Sequence, residues 1–150
     1  MTQIVDSDGF EKLAMKFVDR DVTKAYMDNL AAISLQLLRM IMQASPVDKG
    51  RFVGSWDLTV GGFGGAPLDA GFGGSESANR RAATAAATRN AVANLKALQT
   101  GKIPDVVGLS NGLPYARELE YQHRSKKAEP GFTRMQVRAM ESRIRSGRLP

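Results

Sequence analysis

The sequence predicts an α+β fold in a single domain that spans residues 1–150. Three patterns predict this class. Apolar residues recur at spacings of three and four in the N-terminal third, alternate with a period of two in the next segment, and later give way to an alanine-rich stretch. With 150 residues and 43% hydrophobic content, the chain can bury one modest core. We expect a long helix, a small sheet, an additional alanine-rich helix and a C-terminal helix.

The N-terminal third is predicted to hold two helices in succession. Asp8 and Glu11 form a capping-box pattern ahead of a short helix with one apolar face. That face comprises Phe10, Leu13, Ala14 and Phe17. Residues 19–23 interrupt the pattern, with Thr23 as a candidate cap for the second helix. The apolar face of this second, longer helix comprises Leu30, Ile33, Leu37, Leu38 and Ile41.

A structural turn is predicted where the long helix ends. Pro46 ends the helix, because the residue before a proline is driven out of the helical region. We expect the Asp48 carboxylate to accept hydrogen bonds from the backbone N–H of Gly50 or Arg51, as in an Asx turn. Gly50 supplies a positive φ if the turn requires one. The turn would aim the following strand back along the helix.

A strand is predicted immediately after this turn. Apolar and small residues alternate with others from residue 52 to residue 60, which is the period of a strand with one buried face. The predicted buried face comprises Phe52, Gly54, Trp56, Leu58 and Val60. We expect Trp56 and Leu58 to form one core with Leu37 and Val107.

Residues 61–74 are predicted to be a mobile loop or an assembly arm. Seven of these fourteen residues are glycine, and fixing a residue costs about 1–2 kcal/mol of backbone entropy. We therefore expect the segment to be loose in a single chain and to become ordered on assembly. Phe63 and Phe72 would be its apolar anchors. The alternative is a solvated surface loop with incidental aromatic residues.

Turn chemistry delimits the next elements. Ser75 or Ser77 is expected to cap the alanine-rich helix, which ends near Leu98 with Gly101 as its stop. The small side chains of this helix allow another backbone to approach closely, and its larger contacts are expected from Val92, Leu95 and Leu98. Residues 105–109 are strand-like, and an Asn-Gly turn follows at residues 111–112.

The C-terminal third is predicted to contain two further helices. Pro114 suits the first position of a short helix from Tyr115 to Tyr121. A basic loop over residues 123–127 leads to Pro130 and then to a final helix. The expected apolar face of that helix comprises Met135, Ala139 and Ile144, and residues 146–150 are expected to be a loose tail.

The net charge of +6 is concentrated at the C-terminal end. From residue 117 onward the chain carries nine basic and four acidic residues. A basic surface can follow a phosphate backbone. The candidates to face DNA are Arg124, Lys126, Lys127, Arg134 and Arg138. A solvated helix face is the alternative, since few aromatic residues lie nearby to stack on bases.

No set of residues predicts a catalytic, cofactor or metal site. The glycines of residues 61–65 lack the Gly-Lys-Ser/Thr ending of a phosphate-binding loop, and His123 has no partners at metal-ligand spacing. Glu118 and Glu120 are two residues apart, so on a helix they point to different faces. We expect Glu118 to pair with the basic loop, and Glu120 to cap a neighbouring element or bridge to another subunit. A hydrolase that uses either glutamate is the least favoured alternative.

Composition also restricts where the protein is expected to act. The chain has no cysteine, which excludes disulfide frameworks and suits a reducing cytoplasm. Its apolar runs are too short for a membrane span, and its acidic N-terminus does not resemble a signal peptide. We expect a soluble protein that stays where it is made.

Two windows resemble the neck proteins of tailed bacteriophages, also called head-to-tail connector or tail-completion proteins. Residues 46–51, Pro-Val-Asp-Lys-Gly-Arg, are similar to the Pro-Val-Asp-Thr-Gly-Arg turn of that family. Residues 111–121 are similar to its Asn-x-x-Pro-Tyr-Ala…Glu-Tyr/Phe-Gly element, and residues 128–132 match the proline-containing segment that follows. Lys49 stands where a small hydroxyl residue is usual, and Gln122 stands where glycine is common.

The resemblance implies a helix packed on a small, curved, mostly antiparallel sheet, without enzymatic activity or cofactor. It implies a structural virion protein, made in the host cytoplasm, whose copies form a hexameric or dodecameric ring in the neck. The ring would join the DNA-filled head to the tail and let DNA pass. Expected partners are the head-side adaptor, the tail-side terminator or tube proteins and, transiently, double-stranded DNA, but no membrane. The candidate interface residues are Phe63, Phe72, Pro114, Tyr115, Glu118, Glu120 and Tyr121.

Two alternatives to a neck ring remain open. A tail terminator or minor tail protein belongs to the same structural class, and the sequence barely distinguishes it from a neck ring. A basic nucleic-acid-binding protein belongs to another class, and salt-dependent DNA binding would discriminate it.

Overall fold

A computed structural model describes residues 7–122 and 124–148 of the chain, and the side chains of these ranges from residue 11 onward. Its helices are α1 (Ser7–Phe17), a π-helical turn (Val18–Val22), α2 (Thr23–Ala44), α3 (Arg51–Gly54), α4 (Glu76–Leu95), a 3₁₀ helix (Lys96–Thr100), α5 (Ala116–Tyr121) and α6 (Phe132–Arg145). Its strands are β1 (Trp56–Val60) and β2 (Val107–Asn111). The predicted α+β class, with its long helix, alanine-rich helix and C-terminal helix, is confirmed.

The two predicted N-terminal helices are one continuous helix. The π-helical turn connects α1 to α2 without a break, and Val22 and Thr23 both have helical backbone angles. The prediction of an interruption capped by Thr23 is therefore wrong. Residues 10–44 contain no glycine or proline, so nothing stops the helix, and one wide turn absorbs the change of pattern. The predicted roles of the Asp8 and Phe10 side chains lie outside the described part of the chain.

The turn after α2 is confirmed at Gly50 but not at Asp48. Gly50 has φ of 77°, a left-handed conformation that favours glycine. The Asp48 side chain is exposed and accepts no hydrogen bond from the N–H of Gly50 or Arg51, so the predicted Asx turn is wrong. The Asp48 backbone carbonyl instead accepts a 3.0 Å hydrogen bond from Nδ2 of Asn79 on α4. A distant side chain therefore fixes the turn.

Replacing Gly50 with alanine should destabilise the protein by about 1–3 kcal/mol, because the left-handed backbone is strained for other residues. A Cβ at this position would also lie 2.8 Å from the backbone oxygen of Asn79. Gly61 is the matched control, since it has φ of 85° but open space around it. Urea unfolding should show a larger loss for Gly50→Ala than for Gly61→Ala. Equal losses would mean that the close approach to α4 contributes nothing.

The strand predicted from residue 52 begins only at Trp56. Residues 51–54 form the helical turn α3, in which the Gly54 N–H donates to the Gly50 carbonyl at 2.9 Å. Phe52 and Val53 are consecutive, and both are buried. The alternating pattern had placed Val53 on the outer face. That assignment is wrong because a helical turn inside the core can bury adjacent residues, whereas a strand with only one buried face cannot.

The two strands form an antiparallel sheet whose register pairs Trp56 with Asn111 and Val60 with Val107. The second strand thus begins and ends two residues later than predicted. Trp56 and Leu58 are buried, and Leu37 and Val107 pack against the same core, so the predicted core is confirmed. Helix α4 packs against β1.

Helix α4 begins as predicted at Ser75, whose Oγ accepts a hydrogen bond from the Ala78 N–H. Its alanines at positions 83, 87 and 91 have no solvent exposure, which confirms that small residues let the helix approach the core closely. Leu95 and Leu98 are buried as expected, but Val92 is 47% exposed, so its predicted role as a core contact is wrong. Gly101, with φ of 77°, ends the following 3₁₀ helix.

The final helix buries a face different from the predicted one. Phe132 and Met140 are buried where α6 packs on α2, whereas Met135, Ala139 and Ile144 are exposed. The tail is also more ordered than expected as far as residue 148. Gly147 has φ of 70°, and the Arg148 N–H bonds to the Arg143 carbonyl at 2.9 Å, which caps the helix. Residues 123, 149 and 150 lie outside the described residues, so the prediction for His123 is untested.

Candidate assembly site

The two windows that resemble the neck family pack against each other in space. Asn111 Nδ2 donates a 2.9 Å hydrogen bond to the Phe52 carbonyl. The rings of Phe52 and Tyr115 have their centroids 6.2 Å apart. Phe52 also makes edge-on contacts with Trp56 and Phe132. Phe52 therefore joins the turn after α2, the sheet and the C-terminal third in one aromatic cluster.

A surface cleft of about 370 Å³ lies between these windows. We call it the motif cleft. It brings together six of the residues singled out in the sequence: Pro46, Asp48, Gly50, Tyr115, Arg124 and Lys127. Lys49 and Arg51 also line it, so four of its lining residues are basic and one is acidic. Such a cleft favours an acidic or otherwise anionic group.

Ion pairs hold the basic side chains at the rim of the motif cleft. Arg124 pairs with Glu118 at 2.8 Å, as predicted for Glu118 and the basic loop. Lys127 Nζ lies 2.8 Å from a Glu76 carboxylate oxygen and donates to the Val47 carbonyl at 2.9 Å. The hydrogen bond to Glu76 raises the pKa of Lys127 and lowers that of Glu76. Lys127 and Glu76 therefore favour each other's charged form at the rim of the cleft.

Helix α4 supports the turn with two side chains that sequence reasoning missed. Arg80 donates to the carbonyls of Met42, Gln43 and Ser45 at 2.9–3.2 Å. These are carbonyls that the end of α2 leaves without helical partners. Asn79, which donates to the Asp48 carbonyl, is buried. The signal was available: Asn79 lies four and eight residues before Ala83 and Ala87, and a polar residue on an apolar stripe indicates a buried hydrogen bond.

Glu120 has an internal role. Its carboxylate is buried and accepts hydrogen bonds from the backbone N–H groups of Thr133 and Arg134 at 3.0 and 3.2 Å. Arg134 Nε adds a third at 3.1 Å. Glu120 thus caps α6, whose N-cap residue, Gly131, has no side chain to do so. The capping role considered for Glu120 is confirmed, whereas its assignment as an interface residue stays a prediction.

The glycine-rich segment has no regular secondary structure, but it is not a free arm. The Phe72 N–H donates to the Lys49 carbonyl at 2.6 Å, and the Leu68 N–H donates to Ser55 Oγ at 2.9 Å. Phe72 also packs against the core. The expectation of a loose segment in the single chain is therefore corrected. Only one of its two aromatic anchors is free for a partner, since Phe63 is 73% exposed.

The remaining candidate residues are distributed over the surface. Pro114 is exposed, and Tyr121 is exposed with the Arg134 guanidinium 4.5 Å from its ring centroid. Among the five candidates to face DNA, Arg124, Lys127 and Arg134 already pair with carboxylates. Lys126 and Arg138 are exposed and have no ion pair within the described residues. This leaves a smaller free basic surface than the sequence indicates.

The described residues hold neither a metal-binding cluster nor a membrane-spanning helix. In residues 7–122 and 124–148, no group of three or more acidic, histidine or cysteine side chains could hold a metal ion. Over the same residues, no helix combines the length and apolar character needed to cross a membrane. Comparisons with protein-family models, curated proteins and solved structures found no match.

Proposed function

We propose that this chain is a structural virion protein of a tailed bacteriophage, acting without catalysis as a ring in the neck between head and tail. The observation that carries the proposal is the packing of the two family-like windows against each other, through Asn111, Phe52 and Tyr115. Separated in sequence, these windows form the walls of one cleft. Shared local motifs that also share a site are stronger support than either motif alone.

The motif cleft is the proposed contact with an adjacent protein in the neck. Arg124 and Lys127 in its lining are held in place by Glu118 and Glu76, and Lys49 and Arg51 supply further positive charge. A partner segment with acidic residues would complement it. Phe63 and Pro114, both exposed, are further candidate contacts on this chain.

The proposal is tested by removing the gene from the phage that encodes it and supplying variants in trans. Without the protein, we expect lysates to contain filled heads and separate tails, visible by electron microscopy. Lys49→Glu should fail to restore joining, because it reverses a charge in the motif cleft. Lys102→Glu is the matched control, since Lys102 is exposed and does not line that cleft. Normal joining without the protein would refute the neck assignment.

The nucleic-acid alternative is tested with the isolated protein. We expect weak binding to a double-stranded DNA fragment at physiological salt, because three of the five candidate residues are already paired with carboxylates. Fluorescence anisotropy at roughly 50 and 200 mM salt would measure the affinity of the protein for the DNA fragment. Tight binding that falls by orders of magnitude between these concentrations would favour the nucleic-acid-binding class.

A further inference from the structure

The N-terminal part of the long helix carries large apolar side chains that contact little of the rest of the chain. Leu13 is 70% exposed, Phe17 63% and Val22 56%, and no residue of the π-helical turn is buried. We call Leu13, Phe17, Val18, Val22 and Tyr26 the apolar stripe. A contiguous apolar surface of this kind on a folded protein marks an interaction site.

The π-helical turn keeps the apolar stripe on one side of the helix. Leu13 and Phe17 are four residues apart, as are Val22 and Tyr26, but Phe17 and Val22 are five apart. A π-helix has i→i+5 hydrogen bonds and a wider turn than an α-helix, and the π-helical turn covers residues 18–22. In a regular α-helix the two halves of the stripe would be rotated apart. The wide turn therefore aligns them.

An apolar groove of about 850 Å³ lies beside the same helix, between it and the end of α4. Met27, Leu35, Leu95 and Leu98 contribute to its lining, together with the half-exposed Val92. None of the stripe residues lines the groove. The chain thus presents an unpartnered apolar stripe and a separate apolar groove, which is the requirement for a head-to-tail contact between identical copies.

The charges around the stripe and the groove favour a second copy of this chain, rather than a lipid surface, as the partner of the stripe. Its lining carries Lys16, Arg20, Lys24 and Lys96 against Asp19 and Asp28. On the stripe side, Glu11 precedes Val18 by seven residues and so lies on the same face of the helix, while Asp21 pairs with Arg20 at 2.9 Å. Residues 7–28 carry five acidic and four basic side chains, whereas membrane-surface helices are rich in lysine and arginine.

We infer that the apolar stripe of one copy packs into the groove of the next copy, as an amphipathic helix packs in a groove. The contact is directional, because the two surfaces differ, so repeated contacts can close into a ring. This inference rests on the proposed self-assembly but not on a position in the virion.

Cysteine cross-linking tests the pairing directly, because the chain has no native cysteine. Val18→Cys places a thiol on the stripe, and Val92→Cys places one in the groove. Mixing the two single variants and oxidising them should give disulfide-linked dimers, whereas each variant alone should give few. Val18→Cys mixed with Arg138→Cys is the control. Efficient cross-linking of Val18→Cys with itself would show symmetric helix pairing and overturn the inference.

The assembly state provides a second readout that does not depend on disulfide geometry. We expect the wild-type protein at high concentration to sediment as an oligomer, and Leu13→Glu/Phe17→Glu to sediment as a folded monomer whose melting temperature no longer depends on protein concentration. Met135→Glu/Val137→Glu is the matched control, since these are also exposed apolar residues. The inference fails if the stripe variant assembles normally, if the control dissociates equally, or if the wild type is monomeric.

Two further outcomes separate this inference from lipid binding and from the neck assignment. A monomeric wild type that binds vesicles of phosphatidylcholine and phosphatidylglycerol, with loss in Leu13→Glu/Phe17→Glu, would assign the stripe to a lipid surface and overturn the inference. Assembly through the stripe by a protein that is dispensable for head-to-tail joining would support the inference and refute the neck assignment alone.

Discussion

Replacing Trp56 with alanine should lower the free energy of unfolding by about 3–5 kcal/mol, the usual cost of truncating a large buried side chain. Trp56 is buried, its ring meets that of Phe52 edge-on at 6.0 Å, and its Nε1 donates to Ser45 Oγ at 3.0 Å. The Ser45 hydroxyl in turn donates to the Ile41 carbonyl. The substitution therefore removes core volume and one link to the end of α2.

Urea unfolding at neutral pH measures this loss, with Trp56→Phe as the companion variant. Phenylalanine keeps much of the ring but cannot donate to Ser45, so we expect a smaller cost of about 1–2 kcal/mol from the hydrogen bond. A melting temperature for Trp56→Ala within a degree or two of the wild type would show that the core is not built around this residue.

Replacing Glu120 with alanine should cost about 2–3 kcal/mol, because hydrogen bonds to a charged group are strong and their backbone donors lie at a partly buried helix end. The N–H groups of Thr133 and Arg134 would lose their acceptor. We expect α6 to fray first, which amide hydrogen exchange would show as lost protection at its N-terminal turn.

Glu118→Ala is the matched control for this prediction. Glu118 is two residues away on the same helix and pairs with Arg124 at the surface, where the Arg124 side chain is 63% exposed and that of Glu118 39%. Exposed pairs contribute about 0–1 kcal/mol. If the two alanine variants unfold at the same urea concentration, the Glu120 cap does not stabilise α6.

The sequence predicts the elements that local patterns specify. The repeat in α2, the Ser75 cap of α4 and the helix stop at Gly101 all depend on neighbouring residues, and the structure contains them. Local patterns fail where contacts with a distant part of the chain determine the secondary structure. Residues 51–54 alternate like a strand, yet they form a helical turn because the core surrounds both Phe52 and Val53.

The buried face of α6 shows the same limitation. Met135 and Ile144 are apolar, but the docking of α6 on α2 buries Phe132 and Met140 instead. The glycine-rich segment was expected to be loose on entropy alone. Specific bonds to Lys49 and Ser55 oppose that entropy, and composition carries no information about them.

The candidate site was only partly accessible from sequence. Six predicted residues converge on the motif cleft. Pro46, Asp48, Gly50 and Tyr115 belong to the two windows, and Arg124 and Lys127 belong to the basic loop that follows. Asn79 and Arg80, which hold the turn, come from a helix more than thirty residues away. Without homologous sequences, a single chain does not reveal which side chains meet across that distance.

The support of the turn by α4 has a consequence for the rate of folding. Residues 45–50 gain their hydrogen bonds to Asn79 and Arg80 only after the chain between them has closed a loop of about thirty residues. Closing such a loop costs entropy before any bond forms, and contacts of this separation slow folding. The turn should therefore be acquired late, together with the docking of α4. In a chain emerging from the ribosome, α2 can form early, but the motif cleft cannot exist until α4 and the C-terminal third have been synthesised.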